Sequence, residues 1–320
     1  MANVNAAATV WNCPNYTGEL YLIGANRTPF LNMIGGLQGT GVRTVADFQF
    51  PLAQPWALES ASQPAITETA SLTAPTPWTY VRGQDVNTCQ IWQRQVSVSY
   101  AKQSVIGQVV ADATTGLIDV TDGQPVTNER DFQINAHMRQ LAVDIDYTFL
   151  NGAYQQATSA AVAAKTRGVI TGCSTNAVDA SSAALSKALI DQLLRTMADA
   201  GAEFLQPVVF CGAFQKQQFS NVYGYAPEDR NIGGTNIKMI ETDFAELGIV
   251  WAPNVPAATL LVADLAFCSP VFLPVPEKGV LFYEELSKTG ASEKGQIYGH
   301  IGIDYGPEEM HGKITNLATS

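Results

Sequence analysis

The sequence predicts an α+β fold, and three observations carry that prediction. A long stretch, residues 128–150, repeats apolar side chains at helical spacing. A shorter stretch, residues 181–201, does the same. Around them lie several strand-like runs in mixed order, with no visible internal repeat.

The long helix is read from "NERDFQINAHMRQLAVDIDYTFLNG". Asn128 is placed to cap it, and Glu129 and Asp131 suit the positive end of its dipole. Ile134, Met138, Leu141, Ile145 and Phe149 fall on one face, with Ala142 beside them, and Asn151-Gly152 ends the run. At 3.6 residues per turn it makes about six turns. The second helix, "SSAALSKALIDQLLRTMADAG", is expected to start at Ser181 or Ser182 and stop at Gly201. Its stripe is Leu185, Leu189, Leu193 and Met197.

The strands are expected in "VADFQF", "NTCQIWQRQVSVSY", "PVVFCG", "NIKMIETDF", "LGIVWAP", "ATLLVADL", "GVLFYEEL" and "QIYGHIGIDY". Phe48 and Phe50 are expected on one face of the first, and Trp92, Val96, Val98 and Tyr100 on one face of the second. An irregular arm containing "NRTPFLNMIGG" precedes them. Between "PVVFCG" and "NIKMIETDF", a short helix leads into a Gly-rich loop where Gly233-Gly234 reads as a flexible turn.

The stretch 51–85 is rich in Pro, Ala, Ser and Thr, and Pro51, Pro55, Pro64, Pro75 and Pro77 interrupt any regular element. Two strands joined by so long a segment read as a projecting loop, a length that is usually functional. Trp56, Trp78 and Trp92 on such a projection read as anchors against a neighbouring molecule. The bland reading folds them back onto their own domain.

Composition narrows the function classes. Charged residues make up 15% of 320, well below the usual quarter, which suits surfaces that meet other protein. The net charge is −11 with no basic run, so specific gripping of nucleic acid is excluded. Five scattered cysteines without a C-x-x-C pair argue against a disulfide framework and against zinc. Neither a signal peptide nor a membrane-spanning run is visible, so the chain is expected to be soluble and cytosolic at synthesis.

One set of motifs argues for chemistry. Ser99-x-x-Lys102, Ser174-Thr175-Asn176 and Lys288-Thr289-Gly290 occur in the order found in penicillin-binding and β-lactamase enzymes. That reading needs Ser99 to open a buried helix and Lys288 to lie within a strand. Ser99 instead closes an alternating strand-like run, or caps a helix that begins near Ala101, and Lys288-Thr289-Gly290 stands in a polar turn. His137, His300 and His311 carry no motif spacing, and "NIGGTN" lacks a phosphate-binding lysine. No catalytic residue, cofactor or metal is expected.

The order of elements and several segments resemble the major capsid proteins of tailed double-stranded DNA phages, which have the Hong Kong 97-type (HK97-like) fold. The segments are "NRTPFLNMIGG", "RDFQINAHMRQLAVDIDYTFLNG", "KTRGVI", "FCGAFQKQQFS", "IKMIETDFAELGIVWAPNVP" and "LSKTGASEKGQIYGHIGIDYGPEEMHGKI". The resemblance implies an N-terminal arm at 1–47 and an extended β-hairpin loop at 48–100. It implies a peripheral domain at 101–180 with a spine helix at 128–150, an axial domain at 181–265, and a return to the peripheral domain at 266–320. It further implies a virion shell of hexamers and pentamers assembled in the host bacterial cytoplasm, beside packaged DNA that is not specifically bound. Separate scaffolding, portal and decoration proteins are possible partners, and no membrane is.

The type member's subunits are joined by isopeptide bonds from a lysine on the extended loop. Here the first lysine is Lys102, so a shell without covalent cross-links is expected. No large helical segment precedes the arm, so no fused scaffold is expected. Trp56, Trp78, Trp92, Arg94, Gly233, Gly234, Lys288, Glu293 and Lys294 are the expected subunit-interface residues. The alternatives are an encapsulin-like shell around a cargo enzyme, a tail or decoration protein, and the serine acyl-transferase built on Ser99, Lys102, Ser174, Asn176 and Lys288.

Overall fold

Two sheets and one long helix organise the chain. The computed structural model describes residues 28–37, 41–53, 61–77, 79–80, 83–103, 109–111, 118–120, 129–223, 229–232 and 235–319. In chain order the first elements are α1 (Pro29–Met33), β1 (Arg43–Thr44), β2 (Gln49–Pro51), α2 (Glu68–Ser71), β3 (Val86–Thr88), β4 (Gln90–Ser99) and α3 (Tyr100–Gln103). Strands β5 (Val109–Ala111) and β6 (Ile118–Val120) pair with each other, and the long helix α4 (Glu129–Asn151) follows. Next come α5 (Val169–Gly172), β7 (Ala177–Asp179), α6 (Lys187–Asp199), β8 (Pro207–Cys211) and α7 (Ala213–Tyr223). The last elements are β9 (Asp229–Ile232), β10 (Thr235–Glu241), β11 (Glu246–Trp251), β12 (Leu260–Asp264), β13 (Ser269–Phe272), β14 (Leu281–Glu285), β15 (Ser292–Asp304) and β16 (Gly312–Thr315).

The larger sheet has seven strands in the order β7-β16-β12-β8-β11-β10-β9. Its centre is near-continuously apolar because both faces are covered. Alternation divides the side chains between two cores. Val208, Phe210, Val250 and Leu261 enter one core, with α1, the C-terminal half of α4 and the smaller sheet. Val209, Cys211, Ile249 and Leu260 enter the other, against Ile190, Leu193, Leu194 and Met197 of α6. Each fully buried aliphatic side chain contributes roughly 1.5–3 kcal/mol.

The smaller sheet is built on the 13-residue β15. Strand β4 runs antiparallel along one edge, from Ser292↔Ser99 to Ile301↔Gln90. The other edge takes β14 and then β13, with β1 parallel beyond β13. In β4 the even positions Trp92, Val96 and Val98 point inward, as the alternation predicts, whereas Tyr100 leaves the strand and starts α3. Phe50 is buried in β2, but Phe48 sits half-out against the His300 ring, 5.0 Å away.

Both helices depart from the sequence reading. Helix α6 starts at Lys187, not at Ser181 or Ser182, because Ser186 caps it by accepting from Leu189 N at 3.4 Å. Ser181 and Ser182 hold left-handed φ values of 49° and 65°, in a turn that Ser182 N ties to Asn316 O at 2.7 Å. In α4 the predicted stripe is buried only from Leu141 onward; Ile134 is half-buried and Met138 is 36% exposed. The predicted cap, Asn128, lies outside the described residues.

Candidate assembly surfaces

The excursion predicted from its prolines begins and ends as a ladder. Strand β2 pairs antiparallel with β3, with Phe50 opposite Asn87, and Leu52 N donates to Asp85 O at 2.9 Å. Asn87 is fully buried and uses both ends of its amide. Its Nδ2 donates to Arg167 O (3.0 Å) and Ile303 O (2.8 Å), and its Oδ1 accepts from Arg167 N (2.7 Å) and Thr88 N (2.9 Å). Arg167 closes the root by pairing with Asp85 and lying over the Tyr305 ring at 5.7 Å. A buried amide with every partner in place fixes one geometry.

Beyond this root the character changes. Residues 61–77, 79 and 80 are all exposed, and the one-turn helix α2, capped by Thr67, has no buried residue. Ile66 is 73% and Leu72 85% exposed. Neither belongs to either core. Leaving two such side chains in water forgoes roughly 1.5–3 kcal/mol each. The root is fixed by hydrogen bonds, and the two aliphatic side chains beyond it find no burial in the described residues of their own subunit.

The expected interface residues fare differently. Trp56, Trp78, Gly233 and Gly234 lie outside the described residues. Trp92 does not serve as an outward anchor: it is 7% exposed, packs in its own core, and donates Nε1–H to Ile301 O at 3.2 Å. Its even position in β4 faces inward, which the tryptophan count alone could not reveal. Arg94 is half-buried and pairs with Asp144 of α4, which also accepts from Gln140 at 2.8 Å. Beside it, burial and then the Arg94 charge push the His137 pKa down.

Around the turn between β14 and β15 a charged corner forms within the chain. Glu293 accepts from Gln103 (3.1 Å) and lies 3.4 Å from Arg130, whose other arm reaches Glu285 at 2.9 Å. Lys294 donates to the Thr289 hydroxyl. Lys288 is exposed, with its ammonium 5.7 Å from the Tyr100 ring centre, and its hydrogen bond to the Tyr100 hydroxyl raises its pKa. Glu293 and Lys294 thus have partners in their own subunit, and Lys288 is the member of the trio most open to a neighbour.

The acyl-transfer constellation is divided. Ser99 Oγ accepts from Lys102 N at 3.2 Å, and the Lys102 ammonium lies 3.8 Å from Glu129. Ser174 and Asn176 are held elsewhere. Ser174 Oγ donates to Glu308 at 2.7 Å, and Asn176 Nδ2 donates to Glu309 O and His311 O. Burial pushes the Cys89, Cys173 and Cys211 thiols up to about 12, so they pack as hydrophobes. Among the described residues, no group of three or more His, Cys, Asp or Glu side chains is placed to hold a metal ion, and no helix is long and apolar enough to cross a membrane.

Sequence reading missed one residue that positions these surfaces. Asp146 is fully buried on α4; one carboxylate oxygen accepts from Leu31 N at 2.9 Å and the other from Asn254 Nδ2 at 2.7 Å. The signal was available: an aspartate stands between Ile145 and Phe149 on the most apolar turns of the helix.

The sequence profile of the SU10 major capsid protein family matches residues 3–318. The chain belongs to that family. No curated protein sequence matches significantly. Solved structures share the fold of this capsid protein along nearly its whole length. A subunit in the cyanophage A-1(L) capsid asymmetric unit is 13% identical, with 96% of each chain covered and a TM-score of 0.63. The capsid of an empty GTA particle gives 11% identity, 98% coverage of each chain and a TM-score of 0.59. The holo-SrpI encapsulin complex from Synechococcus elongatus PCC 7942 gives 10% identity, coverage of 100% of this chain and 98% of that one, and a TM-score of 0.59. The capsid protein therefore has the HK97-type fold, and it is a shell-forming protein.

Proposed function

We propose that this shell is the head of a tailed phage and encloses its double-stranded DNA, with residues 48–100 as the extended loop that lies on a neighbouring subunit. The observation that carries the reading is the rigid root at Asn87 beneath an apolar, exposed tip at Ile66 and Leu72. In this division residues 1–47 are the arm, 101–180 and 266–320 the peripheral domain with α4 as spine, and 181–265 the axial domain. Residues 28–37 of the arm are integral to the subunit, since Phe30, Leu31 and Ile34 are buried in the core. A net charge of −11 keeps the shell wall from holding the packaged DNA, which lies near it without specific binding. Scaffolding, portal and decoration proteins are candidate partners, and assembly takes place in the host bacterial cytoplasm.

The test is assembly. Ile66→Asp with Leu72→Asp leaves both cores untouched, so the subunit stays folded by circular dichroism while particles disappear from negative-stain images. Normal particle yield from the double variant would sink the loop's role. Lys288→Ala is expected to lower particle stability through a lost contact between subunits; wild-type behaviour would remove it from the interface. A second reading, a shell around cargo protein, is favoured by the encapsulin likeness. Particles purified from the native source that contain DNA support the phage head, and particles filled with one protein species support the alternative.

A further inference from the structure

Strands β8 and β11 lie side by side and run parallel, in register from Gly248↔Val208 to Trp251↔Cys211. At about 3.3 Å per residue, the two ends of this pair stand roughly 17–20 Å apart. They carry opposite kinds of surface.

Ahead of the two strands the chain shows apolar side chains to solvent. Leu205 is 58% and Phe244 46% exposed, and the Phe244 ring stacks on Phe204 with centroids 6.5 Å apart. The fold holds them in place. The buried Asp264 carboxylate accepts from Leu205 N (2.7 Å), Gln206 N (2.9 Å) and Ala266 N (3.1 Å). Phe204 keeps a left-handed φ of 51°, a costly conformation for a bulky residue. Phe244 sits in a tight turn closed by Thr242 N donating to Ala245 O at 3.0 Å. Around this patch the charges have one sign. Glu203, Glu241, Asp243 and Glu246 are exposed, and no lysine or arginine occurs in 199–206 or 241–246.

Beyond the other end of the strands the surface is concave. A groove of about 560 Å³ runs between the C-terminal end of α4 and the loop after β11, with Tyr147, Trp251, Pro253 and Pro256 among its walls. That volume lies within the range of roughly 300–1,000 Å³ typical of sites that seat an organic group. Hydrogen bonds preform it. Asn254 Nδ2 donates to Asp146 at 2.7 Å, and Asn151 Nδ2 donates to Asn254 O at 2.7 Å. The fully buried Gln215 donates Nε2–H to Ala257 O at 3.2 Å. None of the lining residues is charged. Gly212 and Ala213 in the wall open the 11-residue α7, so the positive end of that helix's dipole borders the groove.

One copy cannot bring the two ends of its own strands together, but two copies can. An apolar patch with an acidic rim is repelled by most of a chain whose net charge is −11. An uncharged apolar groove beside a helix N-terminus receives it without that penalty. We infer that the Phe204-Leu205-Phe244 patch of one copy seats in the groove between α4 and α7 of the next. Such a contact joins two different surfaces, so it is heterologous, and its repetition closes a ring when the rotation allows. A shell-forming chain needs such a contact. The inference depends neither on the excursion at 51–85 nor on what the shell encloses.

Paired cysteines test it. Leu205→Cys and Ala257→Cys are combined in the full chain with Cys13→Ser; Cys89, Cys173, Cys211 and Cys268 are buried. Ala257 lines the groove and is exposed. A disulfide needs Cα atoms within about 7 Å, so positions at opposite ends of β8 do not join within one chain. After mild oxidation of assembled particles, the expected non-reducing gel shows a ladder extending past the dimer. Peptide mass spectrometry should link residue 205 to residue 257. Each single variant has one introduced thiol and stops at the dimer. A double variant that also stops at the dimer, with 205 joined to 205 or 257 to 257, would overturn the head-to-tail contact. Absence of any disulfide would overturn it too. Leu205→Asp gives an independent reading on the unoxidised protein. It should keep the wild-type circular dichroism while the oligomeric fraction in sedimentation falls about tenfold, the factor that corresponds to about 1.4 kcal/mol. Unchanged sedimentation counts against the patch.

Discussion

Asp146 and His311 are both buried titratable groups, and their environments push them in opposite directions. Burial raises the Asp146 pKa against three hydrogen bonds that lower it. Ionised Asp146 is thus costly in the fold, and its contribution, favourable below the ordinary carboxylate range, declines as pH rises through its elevated value. Asp146→Asn keeps the shape and one acceptor but turns an NH2 toward the other donor, and should cost about 1–3 kcal/mol. Asp146→Ala strips the cap from α1 and leaves buried donors unpaired, and should cost about 3 kcal/mol or more. Urea melts of the unassembled subunit separate the two; equal losses would mean that volume rather than hydrogen bonding matters there. His311 is fully buried: Nδ1 accepts from Asp264 N at 3.2 Å, so Nε2 carries the proton and donates to Tyr305 O. Burial, the largest influence, lowers its pKa, with Tyr305 and Asp264 opposing. The unfolded chain binds the proton first, so stability is intact above about pH 6.5, the unperturbed value, and erodes as pH falls below it. The slope of stability against pH between 7 and 5 should be shallower in His311→Gln than in wild type. Identical slopes would place the titration elsewhere.

At the scale of elements, the excursion depends on its root. Asn87→Ala leaves Arg167 N and Thr88 N without their acceptor and two buried carbonyls without a donor, at a cost of about 1–3 kcal/mol for each group that water cannot reach. The expected result is faster proteolysis within 52–85 in the unassembled subunit, with α4 and the seven-stranded sheet still protected from hydrogen exchange. Protection lost everywhere would mean that Asn87 supports the whole subunit. How much the sequence told also varies by element. Spacing located α4, but not that its stripe is buried only from Leu141, because periodicity reports a face and not the length of its partner. The four-residue strands β13 and β16 are too short to leave a pattern. Ser181 and Ser182 look like caps in sequence, yet the turn to Asn316 is a contact across 134 positions. Trp92 misleads in the opposite way: it stands among the excursion's tryptophans in sequence, although its strand parity points inward.

For the molecule as a whole, the question is what holds like-charged subunits together. Each carries −11, and lysines are absent before Lys102, so the excursion offers no lysine for a covalent bond. The charges at the β14–β15 turn are largely paired inside the subunit, at Arg130, Glu285, Glu293 and Lys294, which leaves Lys288 as the cation of that turn most open to a neighbour. On the proposed reading, apolar burial at surfaces such as Ile66 and Leu72 supplies attraction that works against net repulsion. Salt distinguishes this from an ion-pair shell. Raising ionic strength from 0.01 M to 0.15 M shortens the Debye length from about 30 Å to about 8 Å and screens the repulsion, while apolar contacts persist. Light scattering should show assembly becoming faster and more complete across that range. Shells formed in this way should still yield a single band near 34.3 kDa on a denaturing gel. Particles that dissociate as salt rises would show that ion pairs dominate the contacts, and a ladder of multimers on the gel would show covalent joining.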